Sequence, residues 1–187
     1  MLASGSWDTT VKVWKPFESV CLQTFSGHGG YVNGVAFLQD KTTLVSAHSN
    51  GTIQFWDLTK NHDNASPIKI YQKNSESVCC LTVLKNGWIA TGHNDCAVRI
   101  WDPTLSPDKA LIWERWVHTG HVTALTVRAD HILVSGSSDK TLILWNPDTG
   151  DFWQSPAEHT NWVTALEALP DNTILSGSND HTIKMWK

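Results

Sequence analysis

The sequence has no excess of positive charge and no cysteine motif for redox chemistry or zinc. Its formal net charge is −4 and 17% of its 187 residues are charged, so no basic field favours a nucleic-acid partner. The four cysteines, at positions 21, 79, 80 and 96, form no C-x-x-C pair. We therefore expect no metal, no cofactor and no nucleic-acid partner, and we interpret the cysteines as small packing residues in a reducing compartment.

Long apolar runs, a secretory signal and catalytic motifs are also missing. No stretch approaches the ~18 apolar residues of a membrane span, and the opening MLASGSWD lacks the basic and apolar regions of a signal peptide. The sequence holds no G-x-S-x-G, P-loop or H-E-x-x-H motif. We expect a soluble protein, located in the cytoplasm or the nucleus, without a membrane partner.

Tryptophan, by contrast, is abundant, and five of the eleven tryptophans close copies of one segment. The copies read LASGSWDTTVKVW, LVSAHSNGTIQFW, IATGHNDCAVRIW, LVSGSSDKTLILW and ILSGSNDHTIKMW, and they end at Trp14, Trp56, Trp101, Trp145 and Trp186. In every copy a Ser or Thr stands ten residues before the closing tryptophan, and an Asp or Asn stands six residues before it. Such a regular spacing indicates a repeat architecture.

Each copy predicts a β-hairpin, because its two β-rich runs flank a turn such as S-x-D-x-T. The Asp or Asn side chain can accept a hydrogen bond from the backbone N–H two residues on, which fixes the turn. Two further strand-like runs precede each later hairpin, so a unit of about 43 residues holds four strands and the chain about eighteen. Strands that are apolar on both faces and repeat in this way favour an all-β propeller of four-stranded antiparallel blades.

The chain resembles the WD-repeat propellers, whose units run from a Gly-His pair to a Trp-Asp pair. Gly27-His28 and Trp56-Asp57 give one full match, and Trp101-Asp102 keeps the second half. The resemblance implies one domain, residues 1–187, with units at about 1–16, 17–58, 67–102, 110–146 and 151–187. A ring of seven blades, the commonest in this family, needs about 28 strands, so we expect an incomplete arc of about 4.5 blades.

An open arc would expose the blade faces on either side of its gap. Val11, Val13 and the last strand are the predicted members of these faces. Because large bare apolar patches promote association, we expect the chain to self-associate or to bind its missing blades.

The resemblance also implies that a His, a hydroxyl, an acid and a Trp of each unit form a chain of hydrogen bonds that stabilises the blade. Two sets are complete, and in the third unit Asn74 stands where the histidine would be. The predicted structural residues are His118, Ser135, Asp139 and Trp145; His159, Ser176, Asp180 and Trp186; His28, Ser46, Asn50 and Trp56; Thr91, Asp95 and Trp101; and Ser4, Asp8 and Trp14.

A His, Ser and Asp set also fits a catalytic triad. A nucleophile site is normally built once, whereas this set recurs with its tryptophan along the chain, so we expect no catalytic residues and no enzyme activity. The pair His118-x-x-His121 could begin a metal site, but the sequence suggests no third ligand nearby.

Loops at one rim of a propeller converge near its axis and suit peptide or protein binding. The residues just before each inner-strand valine, and those just before each turn acid, are the predicted partner-binding residues: Trp7, Tyr31, Ser77, Asn94, His121, Ser138, Trp162 and Asn179. The three aromatics are typical interface anchors, although packing between neighbouring blades would also explain them.

We therefore expect a non-catalytic scaffold or adaptor that binds peptides or proteins on this rim. Two alternatives remain open at this point: the propeller domain of an enzyme, and the substrate-recognition module of a ubiquitin-pathway complex. The second rests on SGSWDTTVKVW, which is similar to propellers of ubiquitin-linked adaptors such as phospholipase A2-activating protein.

Overall fold

The computed structural model describes residues 1–27, 29–60 and 66–187, which form eighteen strands in five antiparallel sheets, here called blades 1 to 5. Blade 1 has β1 (Leu2–Gly5), β2 (Val11–Lys15) and β3 (Val20–Phe25). Blade 2 has β4 (Val32–Phe37), β5 (Thr43–His48), β6 (Thr52–Asp57) and β7 (Lys69–Gln72). Blade 3 has β8 (Val78–Val83), β9 (Ile89–His93), β10 (Ala97–Trp101) and β11 (Leu111–Trp116). Blade 4 has β12 (Val122–Val127), β13 (Leu133–Ser137), β14 (Leu142–Trp145) and β15 (Phe152–Gln154), and blade 5 has β16 (Val163–Ala168), β17 (Ile174–Ser178) and β18 (Ile183–Trp186).

The all-β propeller prediction is confirmed, including the count of about eighteen strands. Blades 2, 3 and 4 each pair four strands in chain order, from the inner strand to the outer strand. The inner strands β4, β8, β12 and β16 contact one another in succession around the axis, and β1 contacts β4. In the described residues blades 1 and 5 have three strands each and the sheets form an open arc, as expected.

The hairpin turns need a backbone conformation that the sequence prediction did not include. The residue after the turn Asp or Asn has a positive φ, between 67° and 83°, in all five blades: Thr9, Gly51, Cys96, Lys140 and His181. A side chain in this left-handed region normally costs about 1–2 kcal/mol. The turn acid compensates in part, as in blade 4, where the Thr141 N–H donates to Asp139 Oδ1 over 3.0 Å.

Neighbouring blades pack through pairs of aromatic rings. An aromatic residue of one outer strand contacts the closing tryptophan of the next blade at centroid distances of 4.9, 5.8 and 5.9 Å, in the pairs Phe25 with Trp56, Tyr71 with Trp101, and Trp113 with Trp145. A buried tryptophan removes ~150–250 Å² from water, an upper estimate of about 4–6 kcal/mol. The cores therefore lie between the blades.

The prediction that Val11 and Val13 line an exposed face is wrong. Both are buried in a cluster with Phe25, Val32 and Trp56. Side chains alternate along a strand, so those one and three residues before the closing tryptophan face the next blade. Blade 1 has such a neighbour, blade 2, which covers Val11 and Val13.

The last strand is exposed, as expected. Ile183 and Met185 hold the same two positions in blade 5, and they are 78% and 63% exposed. No described blade follows blade 5 in the arc, so these side chains have no neighbouring sheet to pack against.

The left-handed turn residue gives a first prediction. Lys140→Gly should stabilise the fold by about 0.5–1 kcal/mol, since glycine relieves a φ of 76° at a cost in unfolded-chain entropy. Gly51→Ala should destabilise it, since the new Cβ would collide with the Asn74 carbonyl. Urea denaturation of the two variants measures both effects; a Lys140→Gly variant less stable than the parent would contradict the turn assignment.

Candidate functional site

Blades 4 and 5 each contain a buried chain of hydrogen bonds that joins the closing tryptophan to a loop. In blade 4, Trp145 Nε1 donates to Ser135 Oγ over 2.8 Å. The same oxygen lies 2.7 Å from His118 Nε2, and His118 Nδ1 lies 2.8 Å from Asp139 Oδ2. Blade 5 repeats these three distances with its own tryptophan, serine, histidine and aspartate. The set therefore ties the third strand, the second strand, the turn and the loop before the inner strand together.

The aspartates of these chains are held in their ionised form. Burial opposes the ionisation of Asp139, but hydrogen bonds from His118 and Thr141 outweigh it, and the pKa of Asp139 falls well below its ordinary value of 3.8. The pKa of Asp180 is lowered as well, first by its hydrogen bond from Thr182. The carboxylates thus act as acceptors that organise the loop.

The serine hydroxyls of these chains are closed to substrate. Ser135 and Ser176 have no exposed surface, and each accepts a hydrogen bond from an indole N–H. A nucleophile must reach the reacting atom, so this geometry fits a structural role for both sets.

Blades 2 and 3 build the same contact with a histidine that the sequence prediction missed. Trp56 Nε1 and Trp101 Nε1 donate over 2.8 Å to Ser46 and Thr91 respectively. The hydroxyl oxygens lie 2.8 Å from the Nε2 atoms of histidines on β5 and β9, at positions 48 and 93. The signal was present as S-A-H and T-G-H, where blades 4 and 5 read S-G-S.

Two other predicted members, Asn50 and Asn74, bond to partners other than the hydroxyl of the set. His28 lies outside the described residues. Asn50 Oδ1 accepts from the N–H and hydroxyl of Thr52 within its turn. Asn74 does not replace the histidine at the hydroxyl: its Nδ2 donates to Asp95 Oδ2 over 3.2 Å.

Blade 1 keeps the tryptophan contact and the turn. Trp14 Nε1 donates to Ser4 Oγ over 2.9 Å. Asp8 Oδ1 accepts from the N–H and hydroxyl of Thr10. These contacts join β1 to β2 and fix the turn between them.

Blade 3 also contains a buried arginine that the sequence prediction did not single out. Arg99 is 1% exposed, and its guanidinium pairs with Asp95 over 3.1 Å and with Glu114 over 3.0 Å. The same group lies over the Trp116 ring, 5.8 Å from its centroid. Blade 4 has Ile143 at the equivalent place in the repeat. Asp95 therefore serves an ion pair in blade 3, because the loop histidine is absent there.

The predicted rim residues lie together at one end of the blades. In four blades the backbone N–H of the turn residue donates to the carbonyl of the loop residue over 2.9–3.0 Å. The four donor and acceptor pairs are Ser49 with Tyr31, Asn94 with Ser77, Ser138 with His121, and Asn179 with Trp162. We call these eight residues together with Trp7 the rim.

Three aromatic side chains of the rim reach solvent. Trp7 is 76% exposed, Tyr31 53% and Trp162 49%. Trp7 stacks on Tyr31 of the neighbouring blade, with ring centroids 5.7 Å apart and 28° between the planes. Packing between blades therefore explains part of the Trp7–Tyr31 pair, and both rings keep an accessible face.

The described residues contain no cluster of three or more His, Cys, Asp or Glu side chains that could hold a metal ion. Burial raises the pKa of the Cys79 thiol to about 11, which keeps it protonated and unreactive. The described residues form no helix that is long and apolar enough to cross a bilayer.

The buried tryptophan should matter more to stability than the turn acid of the same blade. Trp145→Ala should cost about 3–5 kcal/mol, since it leaves a large cavity. Asp139→Ala should cost about 1–3 kcal/mol, since it leaves the His118 ring without its carboxylate partner. Denaturant unfolding of both variants tests the order, and a larger loss for Asp139→Ala would show that polar geometry outweighs packing.

The buried histidine of blade 3 should make stability depend on pH. Burial, with a further contribution from Arg99, lowers the pKa of His93 from 6.5 to about 3. The unfolded chain therefore binds a proton that the folded chain rejects, and stability present above pH 6.5 is lost as the pH falls. The loss should be about 1 kcal/mol between pH 6.5 and 5.5. His93→Gln should have a correspondingly shallower pH profile of unfolding free energy; an unchanged slope would contradict the assignment.

Comparisons with known proteins agree with this architecture. The protein "Target of rapamycin complex subunit LST8" of Bos taurus is 31% identical over 103 residues, which cover 54% of this chain and 31% of that protein. "Nuclear distribution protein PAC1" of Candida glabrata is 28% identical over 183 residues, covering 81% of this chain and 39% of that protein. This chain thus spans well under half the length of these curated relatives.

A solved structure and a family pattern complete the comparison. The crystal structure of the WD40 beta propeller domain of Doa1 superposes with a TM-score of 0.83 at 20% identity, covering 99% of this chain and 60% of that one, a likeness of fold. The pattern of the family "WD domain, G-beta repeat" matches residues 1–15, 19–57, 65–102, 114–146 and 152–187. With five matched repeats that span most of its length, this chain belongs to the WD domain, G-beta repeat family.

Proposed function

We propose that this chain is a non-catalytic scaffold or adaptor that binds a protein or peptide partner on the rim. The observation that carries the proposal is the set of three exposed aromatics, Trp7, Tyr31 and Trp162, on loops that backbone hydrogen bonds fix. Large aromatic side chains are the commonest anchors of protein interfaces. The relative LST8 is named as a subunit of a complex, which supports a partner-binding role.

The rim is rigid enough to select a partner. Backbone hydrogen bonds hold the rim loops in four blades, and in blades 4 and 5 a buried loop histidine also bonds to Ser135 or Ser176. A pre-organised surface loses little conformational entropy on binding, so its contacts contribute more fully to affinity. Residues of the rim such as Ser77, Asn94 and Asn179 add hydrogen-bonding groups around the aromatic anchors.

The charge of the rim favours a partner segment with basic side chains. The described rim loops are residues 6–10, 29–31, 49–52, 74–77, 94–97, 117–121, 138–141, 158–162 and 179–182. They carry six carboxylates, of which Asp8, Glu76 and Glu158 are exposed, and Lys140 is the one lysine or arginine within these described loops. A lysine or arginine of the partner could pair with a carboxylate and also lie over an aromatic face.

Affinity capture with the full chain and three rim variants tests the proposal. Trp7→Ala, Tyr31→Ala and Trp162→Ala should each reduce capture of the proteins bound by the parent chain about tenfold or more, since a lost aromatic anchor costs ~1–2 kcal/mol or more. Retention should also fall as salt is raised, because the rim is acidic.

The matched control for these variants is Trp153→Ala on the outer strand β15. Trp153 is as exposed as the rim aromatics but lies away from the rim. Its removal should leave the captured proteins unchanged. The rim would be abandoned as the docking site if all three rim variants captured the same proteins as the parent, or if Trp153→Ala caused the same loss.

A further inference from the structure

The contact between blades 4 and 5 lacks the aromatic ring that the other blade contacts have. In blades 1 and 2 the outer-strand residue paired with the position three before the closing tryptophan is Phe25 or Tyr71. In blade 3 the aromatic is Trp113, which pairs instead with the position one before the closing tryptophan. In blade 4 that position is Leu142, and Ser155 lies opposite it, with its N–H and its hydroxyl donating to the Leu142 carbonyl over 3.0 and 3.1 Å. Serine therefore stands where blades 1 and 2 have their aromatic side chain. Trp153 holds the position that Trp113 has in blade 3, opposite Leu144, but it is 59% exposed.

The short outer strand of blade 4 explains the gap. β15 covers three residues, Phe152–Gln154, and Pro156 follows Ser155. Proline lacks the backbone N–H that a longer ladder would need, so the strand ends before it can supply a further inward side chain. The two large residues of this strand, Phe152 and Trp153, are largely exposed.

An open cavity of about 190 Å³ lies at this place, in a contact whose core is otherwise aliphatic. Its walls are Leu142, Leu144, Ser155, Pro156, Ile174 and Trp186, with Arg128 and Lys187 at its edge. The closing tryptophans of blades 2, 3 and 4 are fully buried under an aromatic ring, whereas Trp186 is only partly buried. Its indole lines the cavity, and its ring contact within the described residues is with His159, at a centroid distance of 6.3 Å.

The polar edge of the cavity contains an unsatisfied donor. Arg128 Nη2 pairs with Asp130 over 2.7 Å, while Arg128 Nε is buried without a hydrogen-bond partner among the described residues. Arg128 and Lys187 also line an adjoining cavity of about 330 Å³ that includes Asp171 and Thr173. A buried guanidinium N–H without a partner favours an anionic acceptor at the edge of the site.

We propose that the cavity between blades 4 and 5 binds a planar aromatic ring that carries a carboxylate. The ring lies between Leu144 and the Trp186 indole and takes the place of the missing outer-strand aromatic, and the carboxylate accepts from Arg128. The other contacts set the expected stacking distance, at 4.9–5.9 Å between ring centroids. A free aromatic acid and the carboxy-terminal aromatic residue of a peptide share this chemistry. Arg128, Ile174 and Trp186 lie at the end of the strands opposite the rim, while Leu142 and Pro156 lie nearer to it. None of the nine rim residues lines the cavity, so the inference does not rest on the proposed rim function.

Calorimetric titration and ligand-observed NMR of the full chain test the proposal with defined probes. The probes are indole-3-propionate, its neutral amide indole-3-propionamide, and the peptide Gly-Gly-Gly-Phe with a free or an amidated carboxy terminus. We expect saturable binding of the two acids, and about tenfold weaker binding of the two amides because the charge-assisted hydrogen bond to Arg128 is lost. If indole-3-propionate binds more tightly, the ligand is a free aromatic acid; if the peptide acid binds more tightly, the ligand is a carboxy-terminal aromatic residue.

Two variants locate the site, and a third is the control. Ser155→Phe should fill the cavity, raise the melting temperature and abolish binding of both acids. Arg128→Gln should weaken the acids about tenfold and leave the amides unchanged, which keeps the test valid if Ser155→Phe folds poorly. Ile70→Phe adds a ring to the exposed outer strand of blade 2 and should change nothing.

The proposal is overturned if the full chain binds neither acid saturably, or if a folded Ser155→Phe variant binds the acids as well as the parent does. Equal binding of acids and amides, or an Arg128→Gln variant with unchanged affinity, would remove the carboxylate from the proposal and leave a site for a neutral ring. A loss of binding in Ile70→Phe would place the site elsewhere on the molecule.

Discussion

A hydrogen bond from a tryptophan indole to a hydroxyl ten residues earlier underlies the whole architecture. It recurs in all five blades, with N to O distances of 2.8–2.9 Å. The bond fixes the second and third strands of a blade against each other and orients the indole toward the preceding blade. Because a ring of the preceding blade covers that indole in blades 2, 3 and 4, one local contact there sets both the register within a blade and the packing between blades.

The second group that bonds to the hydroxyl, besides the indole, differs between blades. Blades 4 and 5 use a loop histidine held by an aspartate, while blades 2 and 3 use a histidine on their own second strand. In blade 3 the freed aspartate pairs with Arg99. In blades 4 and 5 the buried histidine braces the loop before the inner strand, and the blade 5 loop exposes the rim residue Trp162. Structure and candidate function are thus linked through the same repeated set.

Much of the fold and the rim could be predicted from the register of the repeat. The closing tryptophans, the hydroxyls and the turn acids stand at constant spacing, and the residues beside the turn and before the inner valine were placed on one rim by that spacing alone. The strand histidines His48 and His93 were not predicted. A hydroxyl can bond to any histidine that the pleated strand places close to it, so the spacing of the loop histidines did not identify them. Arg99 escaped too, since its burial depends on Glu114 from the next strand.

The sequence by itself determined the hairpins and their turns, because these depend on residues within about ten positions of one another. It also determined the count of strands and the blade architecture, because these follow from a unit of about 43 residues that repeats along the chain. Tertiary structure decided what lies between blades. It buried Val11 and Val13 against blade 2 and set Ser155 opposite Leu142, where a cavity opens. Which face of a strand meets a neighbour, and whether a ring fills the space, depends on the relative position of two sheets, and no spacing within one repeat encodes that position.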